Sequence, residues 1–230
     1  MIITNPFEYK PLERTTGKQG RRYITGEGRP LPSVTTILSA TKDMRPIYEW
    51  KARVGKVEAE RVVVEATGIG NSLHKNLERY ILSGDEPDGT LLEKLLTKLV
   101  IKQGLSKVDE VWGTEVALYS TELYAGTTDL VGVHEGAPAI MDFKNSLKLK
   151  KKEWITDYFL QTTAYASSHN EMFGTNIQKG VIMVACRDGI YQEFIIEGQE
   201  FLHYQLIRQR VSLPQRCLKS IQWWMGKPLH

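Results

Sequence analysis

Cysteine is nearly absent: 230 residues contain two, Cys186 and Cys217. Two thiols cannot build a disulfide framework, a four-cysteine zinc site or a four-cysteine iron–sulfur site. So sparse a usage fits a reducing, cytoplasmic setting. Long apolar runs are missing too, and nothing approaches the ~20 consecutive apolar residues of a membrane span. The opening Met1-Ile2-Ile3-Thr4-Asn5-Pro6 lacks the basic-then-apolar order of a secretory leader. There is no repeat period, no low-complexity tract and no Gly-, Pro- or Ser-rich linker between independent domains. Neither charge sign dominates: 30 Lys and Arg stand against 27 Asp and Glu, a net charge of +3. That balance permits an anionic partner without demanding one.

What is present reads as a soluble α/β chain. The Gly-, Pro- and Arg-rich residues 1–32 hold a short β-like run at Arg22–Thr25, an arm or a hairpin. Ser33 is placed to cap a helix from Val34 to about Ala40. Pro46 suits the first turn of a second helix, with Ile47, Trp50, Val54, Val57 and Val64 spaced for one apolar side. Gly68-Ile69-Gly70 is expected to interrupt it. A further helix runs from Asn71 to Leu82 and stops at Gly84, and another from Leu91 to Gln103 stops at Gly104. The period then shortens to two. Val111–Tyr119, Leu123–Val133 and Ala139–Phe143 read as strands, with a turn at Glu135–Pro138. Ile155–Phe173 reads as a helix. Val181–Ala185 and Tyr191–Ile196 are strands flanking an Asp188-Gly189 turn. Glu200 to about Trp224 reads as a terminal helix, with Trp223-Trp224 a packing anchor. The expected fold is one α/β domain over 1–230 with a central mixed sheet. Its parts are a mainly helical stretch 1–105, an α/β core 106–200 and a C-terminal helix 201–230.

Candidate chemistry gathers on the strands. Asp142 and Lys144 are two apart at the end of an apolar strand, so they point the same way. A carboxylate there can hold a hard cation, and an ammonium beside it can stabilise an oxyanion. Thirteen residues upstream, Asp129 interrupts an apolar strand, where Asp is disfavoured. The intervening turn would set the two acids on adjacent antiparallel strands, and Glu115 on the preceding strand is a third candidate. A D-x-K triplet by itself is common, and most are surface ion pairs. Likewise, a lone helix histidine such as His74 is more often a packed or surface residue.

In order, however, these residues resemble the PD-(D/E)XK nuclease superfamily, in detail its RecB-type exonuclease branch. That branch shows a helix histidine (here His74), then G-x-x-D (Gly126 to Asp129), then D-x-K (Asp142-Phe143-Lys144), then Q-x-x-x-Y (Gln161 to Tyr165). Leu31–Leu38 and Trp50–Arg53 are also similar to the mitochondrial genome maintenance exonucleases and their phage relatives. The first acid follows Thr128 where the family often has Pro. The chain lacks both the four cysteines of the iron–sulfur members and the G-x-x-x-x-G-K-[ST] of a fused ATPase.

The resemblance implies a restriction-endonuclease-like core and metal-assisted phosphodiester hydrolysis on DNA, at single-stranded ends. It implies Mg2+ or Mn2+ held by His74, Glu115, Asp129, Asp142 and the Phe143 carbonyl. Lys144 would orient the attacking water, and Gln161 and Tyr165 would position a phosphate or support the acids. From Asp142 to Lys152 five lysines face one acid, a local charge of +4. A solvated loop is the ordinary reading of such a run. Beside such a site, Lys148, Lys150, Lys151 and Lys152 become phosphate contacts. Trp154 and Trp50 become base-stacking candidates, with core packing at least as good an account of both. An endonuclease or structure-specific nuclease of the same chemistry, and a non-catalytic nucleic-acid-binding module, are the alternatives.

Overall fold

Residues 1–18 and 20–205 are described in a computed structural model. A two-residue strand β1 (Ile2–Ile3) leads into β2 (Glu13–Gly17), β3 (Gly20–Ile24) and β4 (Pro30–Pro32). Four helices follow: α1 (Val34–Thr41), α2 (Arg45–Val54), α3 (Lys56–Ser83) and α4 (Leu91–Gln103). Then come β5 (Val108–Tyr119), β6 (Ala125–His134), β7 (Ala137–Ser146), α5 (Thr156–Phe173), β8 (Lys179–Cys186) and β9 (Tyr191–Glu197). Residues 198–205 are helical. Most of the expected C-terminal helix, with Cys217 and Trp223-Trp224, lies outside the described residues.

Six strands form a mixed sheet in the order β1-β5-β6-β7-β8-β9. The β5–β6, β6–β7 and β8–β9 pairs are antiparallel, while β1–β5 and β7–β8 are parallel. Helices cover both faces, as expected of this fold class. The period of two explains how. Ile140 points to a core made with Phe159, Ala164 and Tyr165 of α5. Its neighbours Ala139, Met141 and Phe143 point to a core made with Leu73 and Leu77 of α3 and Leu96 and Val100 of α4. The interior strand β8 is buried along its whole length, as a strand covered on both faces must be. Among the described residues no helix is long and apolar enough to cross a membrane.

Several ends follow directly from local chemistry. The Ser33 hydroxyl accepts the Thr36 N–H at the start of α1. Thr90 and Glu93 form a reciprocal capping box at α4. Gly84 closes α3 in the left-handed conformation that a residue without Cβ adopts cheaply.

Three expectations are corrected and a fourth is extended. Gly68-Ile69-Gly70 does not interrupt a helix, because α3 runs unbroken from Lys56 to Ser83 and the break falls at Gly55, φ 84°. A helix-interior glycine costs about 1 kcal/mol relative to alanine. Here close packing offsets it: Ile69 is buried, and a Cβ on Gly70 would stand 2.9 Å from the Asn145 amide nitrogen on β7. Val57 and Val64 are not on a buried side but are 82 % and 71 % exposed, since the core stripe of α3 is Ile69, Leu73, Leu77 and Ile81. The β6–β7 turn is only Glu135-Gly136, both left-handed at φ 47° and 76°, with Ala137 and Pro138 already in β7. The expected N-terminal hairpin is present as β2–β3, and β4 extends it to a three-stranded sheet.

Candidate active site

The central sheet splits at one place. β5 and β6 stay paired out to Tyr119 and Ala125, and β7 and β8 out to Ser146 and Cys186. Between β6 and β7, however, pairing ends at Leu130 and Met141. The next residue on each side of this fork is an acid, Asp129 or Asp142. Asp129 replaces the missing ladder bond with its side chain, Oδ2 accepting the Phe143 N–H at 2.7 Å. Its Oδ1 lies 3.2 Å from His74 Nδ1, presented by α3. Asp142 Oδ1 accepts from Gln161 Nε2 of α5 at 3.2 Å. Asp142 Oδ2 is ion-paired with the Lys144 ammonium, which also approaches the Phe143 carbonyl at 3.4 Å. Glu115 faces Asp129 across the β5–β6 pair, between the Thr114–Leu130 and Val116–Thr128 partners. Its Oε1 is 4.0 Å from His74 Nδ1. Glu115 sits at φ 47° inside a strand, a left-handed conformation costing roughly 1–2 kcal/mol for an L-residue. Such cost concentrates at sites where surrounding structure dictates a side chain's aim.

Burial and crowding set the charges. Burial, then Asp129, push Asp142 up to about 6 against the pull of Lys144. Burial and Asp129 likewise push Glu115 up to about 7. Burial would raise Asp129 as well, but His74, Lys144 and the Phe143 N–H outweigh it and hold this carboxyl below its ordinary value. Burial pulls His74 and Lys144 down, and the acids facing them more than restore both. The fork is therefore an acidic centre in which one carboxylate is held ionised and two others ionise reluctantly because they are buried beside it.

One cleft of about 440 Å3 brings His74, Glu115, Asp129, Asp142, Lys144, Gln161 and Tyr165 together. Ligand atoms of His74, Glu115 and Asp129 lie within 4.8 Å of one another. The donor set, two carboxylates and an imidazole, could hold a divalent cation. The lysine run lies elsewhere, on the β7–α5 loop. Lys152 pairs with Glu200 at 2.7 Å, and the Lys151 ammonium sits 5.3 Å from the centre of the exposed Trp154 ring. Lys148, Lys150 and the half-buried Trp50 are also absent from the cleft lining.

The other wall was not legible in the sequence. Arg14, Arg21 and Tyr23 reach the cleft from the small sheet, and Ser33 and Thr35 from the start of α1. Gly126 acquires a physical reason as well: a Cβ there would stand 2.6 Å from the Tyr165 hydroxyl. Gly126→Ala is expected to displace this buried ring, which packs one turn from Gln161. Any activity carried by this cleft should fall by at least about tenfold, the scale on which groups supporting a site act. Steady-state rates and a thermal melt of the variant check this, with activity falling further than stability.

No family model matches the chain, and no curated relative matches it. Among solved structures, SSO0001 aligns with a TM-score of 0.42 and 16% identity, covering 80% of this chain and 75% of that one. A Eubacterium rectale protein provisionally named an exonuclease aligns with a TM-score of 0.46 and 14% identity, covering 71% and 69%. Both likenesses are distant, and the chemistry is read from the side chains at the fork.

Proposed function

We propose that this chain is a metal-dependent deoxyribonuclease of the PD-(D/E)XK type, built on a restriction-endonuclease-like core, that removes nucleotides from single-stranded DNA ends. The observation that carries the reading is the cleft at the sheet fork, lined by three acids, a histidine, a lysine and the glutamine–tyrosine pair of one helix. Asp129, Asp142, Glu115, His74 and the Phe143 carbonyl would hold Mg2+ or Mn2+. Such an ion, when bound, neutralises the scissile phosphate and the leaving oxygen and makes water a better nucleophile. Lys144, fixed against Asp142, holds and orients the attacking water. Gln161 keeps Asp142 aimed into the cleft through its amide. Tyr165 supports Gln161 from the same helix face.

A time course on end-labelled linear DNA, single- and double-stranded, and on circular single strands tests this with Mg2+, Mn2+ or EDTA. Linear single strands are expected to shorten with either metal, EDTA to stop the reaction, and circles to survive. Absence of cleavage of every substrate with both metals refutes the reading. Protons should compete with the ion. Asp142 and Glu115 lose theirs only near pH 6 and 7, so metal affinity rises as pH climbs through that range. The gain in melting temperature from Mn2+ should accordingly be larger at pH 8 than at pH 5.5.

A further inference from the structure

We propose that Arg14 and Arg21 form the phosphate-holding wall of this cleft and grip the backbone of the strand whose bond lies over the acids. The proposal rests on the nuclease reading and names residues that neither composition nor motif assigns. The β2–β3 register sets Arg14 opposite Tyr23 and Thr16 opposite Arg21. Cross-strand partners share a face, as do residues two apart along a strand, so both arginines and Tyr23 stand on one side. That side meets the cleft, since all three residues line it. Diagonal neighbours of this kind are about 7–8 Å apart at their bases, so two long guanidinium side chains can hold one phosphate or two adjacent ones.

The wall is anchored to the site. Tyr23, 3 % exposed, sets its hydroxyl 3.2 Å from Thr127 Oγ1, two residues before Asp129. The Arg21 backbone is held at both ends: its N–H donates to Thr36 Oγ1 at 3.1 Å, and its carbonyl accepts the Ser33 N–H at 2.9 Å. Gly20, at φ 93°, leaves no room for a side chain against Thr36. Four basic side chains line the cleft, and two of them, His74 and Lys144, are engaged by the acids. Arg14 and Arg21 have no ion-pair partner among the described residues. An anionic strand approaching three carboxyls needs compensating charge, and these two guanidiniums are the groups free to supply it. Their planar, permanently charged forks suit phosphate oxygens.

Binding without turnover separates this proposal from the nuclease reading. A fluorescent oligothymidylate is titrated into the full chain in EDTA over a series of NaCl concentrations. The parent is compared with Arg14→Ala/Arg21→Ala, Arg14→Lys/Arg21→Lys and the fourfold alanine variant at Lys148, Lys150, Lys151 and Lys152. Loss of two phosphate contacts should lower the slope of log affinity on log salt by about 1.4, at ~0.7 per contact on single strands. Affinity at low salt should fall roughly tenfold or more. The lysine pair should retain most of the slope, which a merely structural role would not predict. An unchanged slope and affinity in the double-alanine variant, with its melting temperature intact, overturns the proposal even if the parent cleaves DNA. A lowered slope in a chain that cleaves nothing upholds the phosphate wall and removes the nuclease.

Discussion

Asp142→Asn is expected to lower cleavage by on the order of a thousandfold, the scale of removing a preorganised electrostatic group from a reaction centre. Asparagine keeps the shape of the side chain and an oxygen that can accept from Gln161. It loses the charge that a divalent cation and Lys144 both require. Binding of a labelled single strand in EDTA should change less than twofold to threefold, because the phosphate grip proposed above belongs to Arg14 and Arg21. Stability at pH 8 should fall by less than on removal of Lys144, because the stranded ammonium still faces the Asp129 carboxylate. Turnover under saturating Mn2+, strand affinity and a melt measure the three quantities. Parent-like turnover in the variant removes Asp142 from the chemistry.

Lys144→Met carries the largest stability effect. The ammonium lies between Asp142, which is 1 % exposed, and the Phe143 carbonyl. Removing one partner of a buried ion pair costs about 3–5 kcal/mol, because the remaining charge stays desolvated. Here the remaining charge can be discharged by a proton, which gives the effect a pH signature. In the unfolded chain an aspartate titrates near 3.9. In the folded variant, without the ammonium, Asp142 titrates above its present value of about 6. Between those values the folded state binds more protons than the unfolded one, so stability falls as pH rises. The penalty should be small at pH 5 and full at pH 8. Adding Asp142→Asn should restore the melting temperature without restoring cleavage. A penalty equal at both pH values would show that Lys144 contributes packing alone.

Period and turn chemistry carried most of the fold. The alternation through β5, β6 and β7, the continuous apolar run of β8 and the Asp188-Gly189 turn are local signals, and local signals survive in a sequence. The continuity of α3 was not legible, because the glycine at position 70 answers to Asn145, a contact made only after folding. The exposed Val57 and Val64 misled for a related reason: helical spacing says which residues share a face, not whether anything packs on it. At the candidate site the acids stood out because Asp129 breaks an apolar strand. Arg14 and Arg21 did not, since arginines in a polar hairpin look solvated until Tyr23 meets Thr127. The same limit hid the purpose of Gly126, which depends on a tyrosine in another element.

The fork has a consequence for how the site can be watched. The Phe143 amide proton is held by a carboxylate rather than by a neighbouring strand. Its exchange with deuterated solvent therefore clocks how often Asp129 lets go, residue by residue, without any substrate. A cation drawing on that carboxylate would retune the clock at this one amide, while the amides of β8, locked in ordinary ladders on both sides, keep their pace.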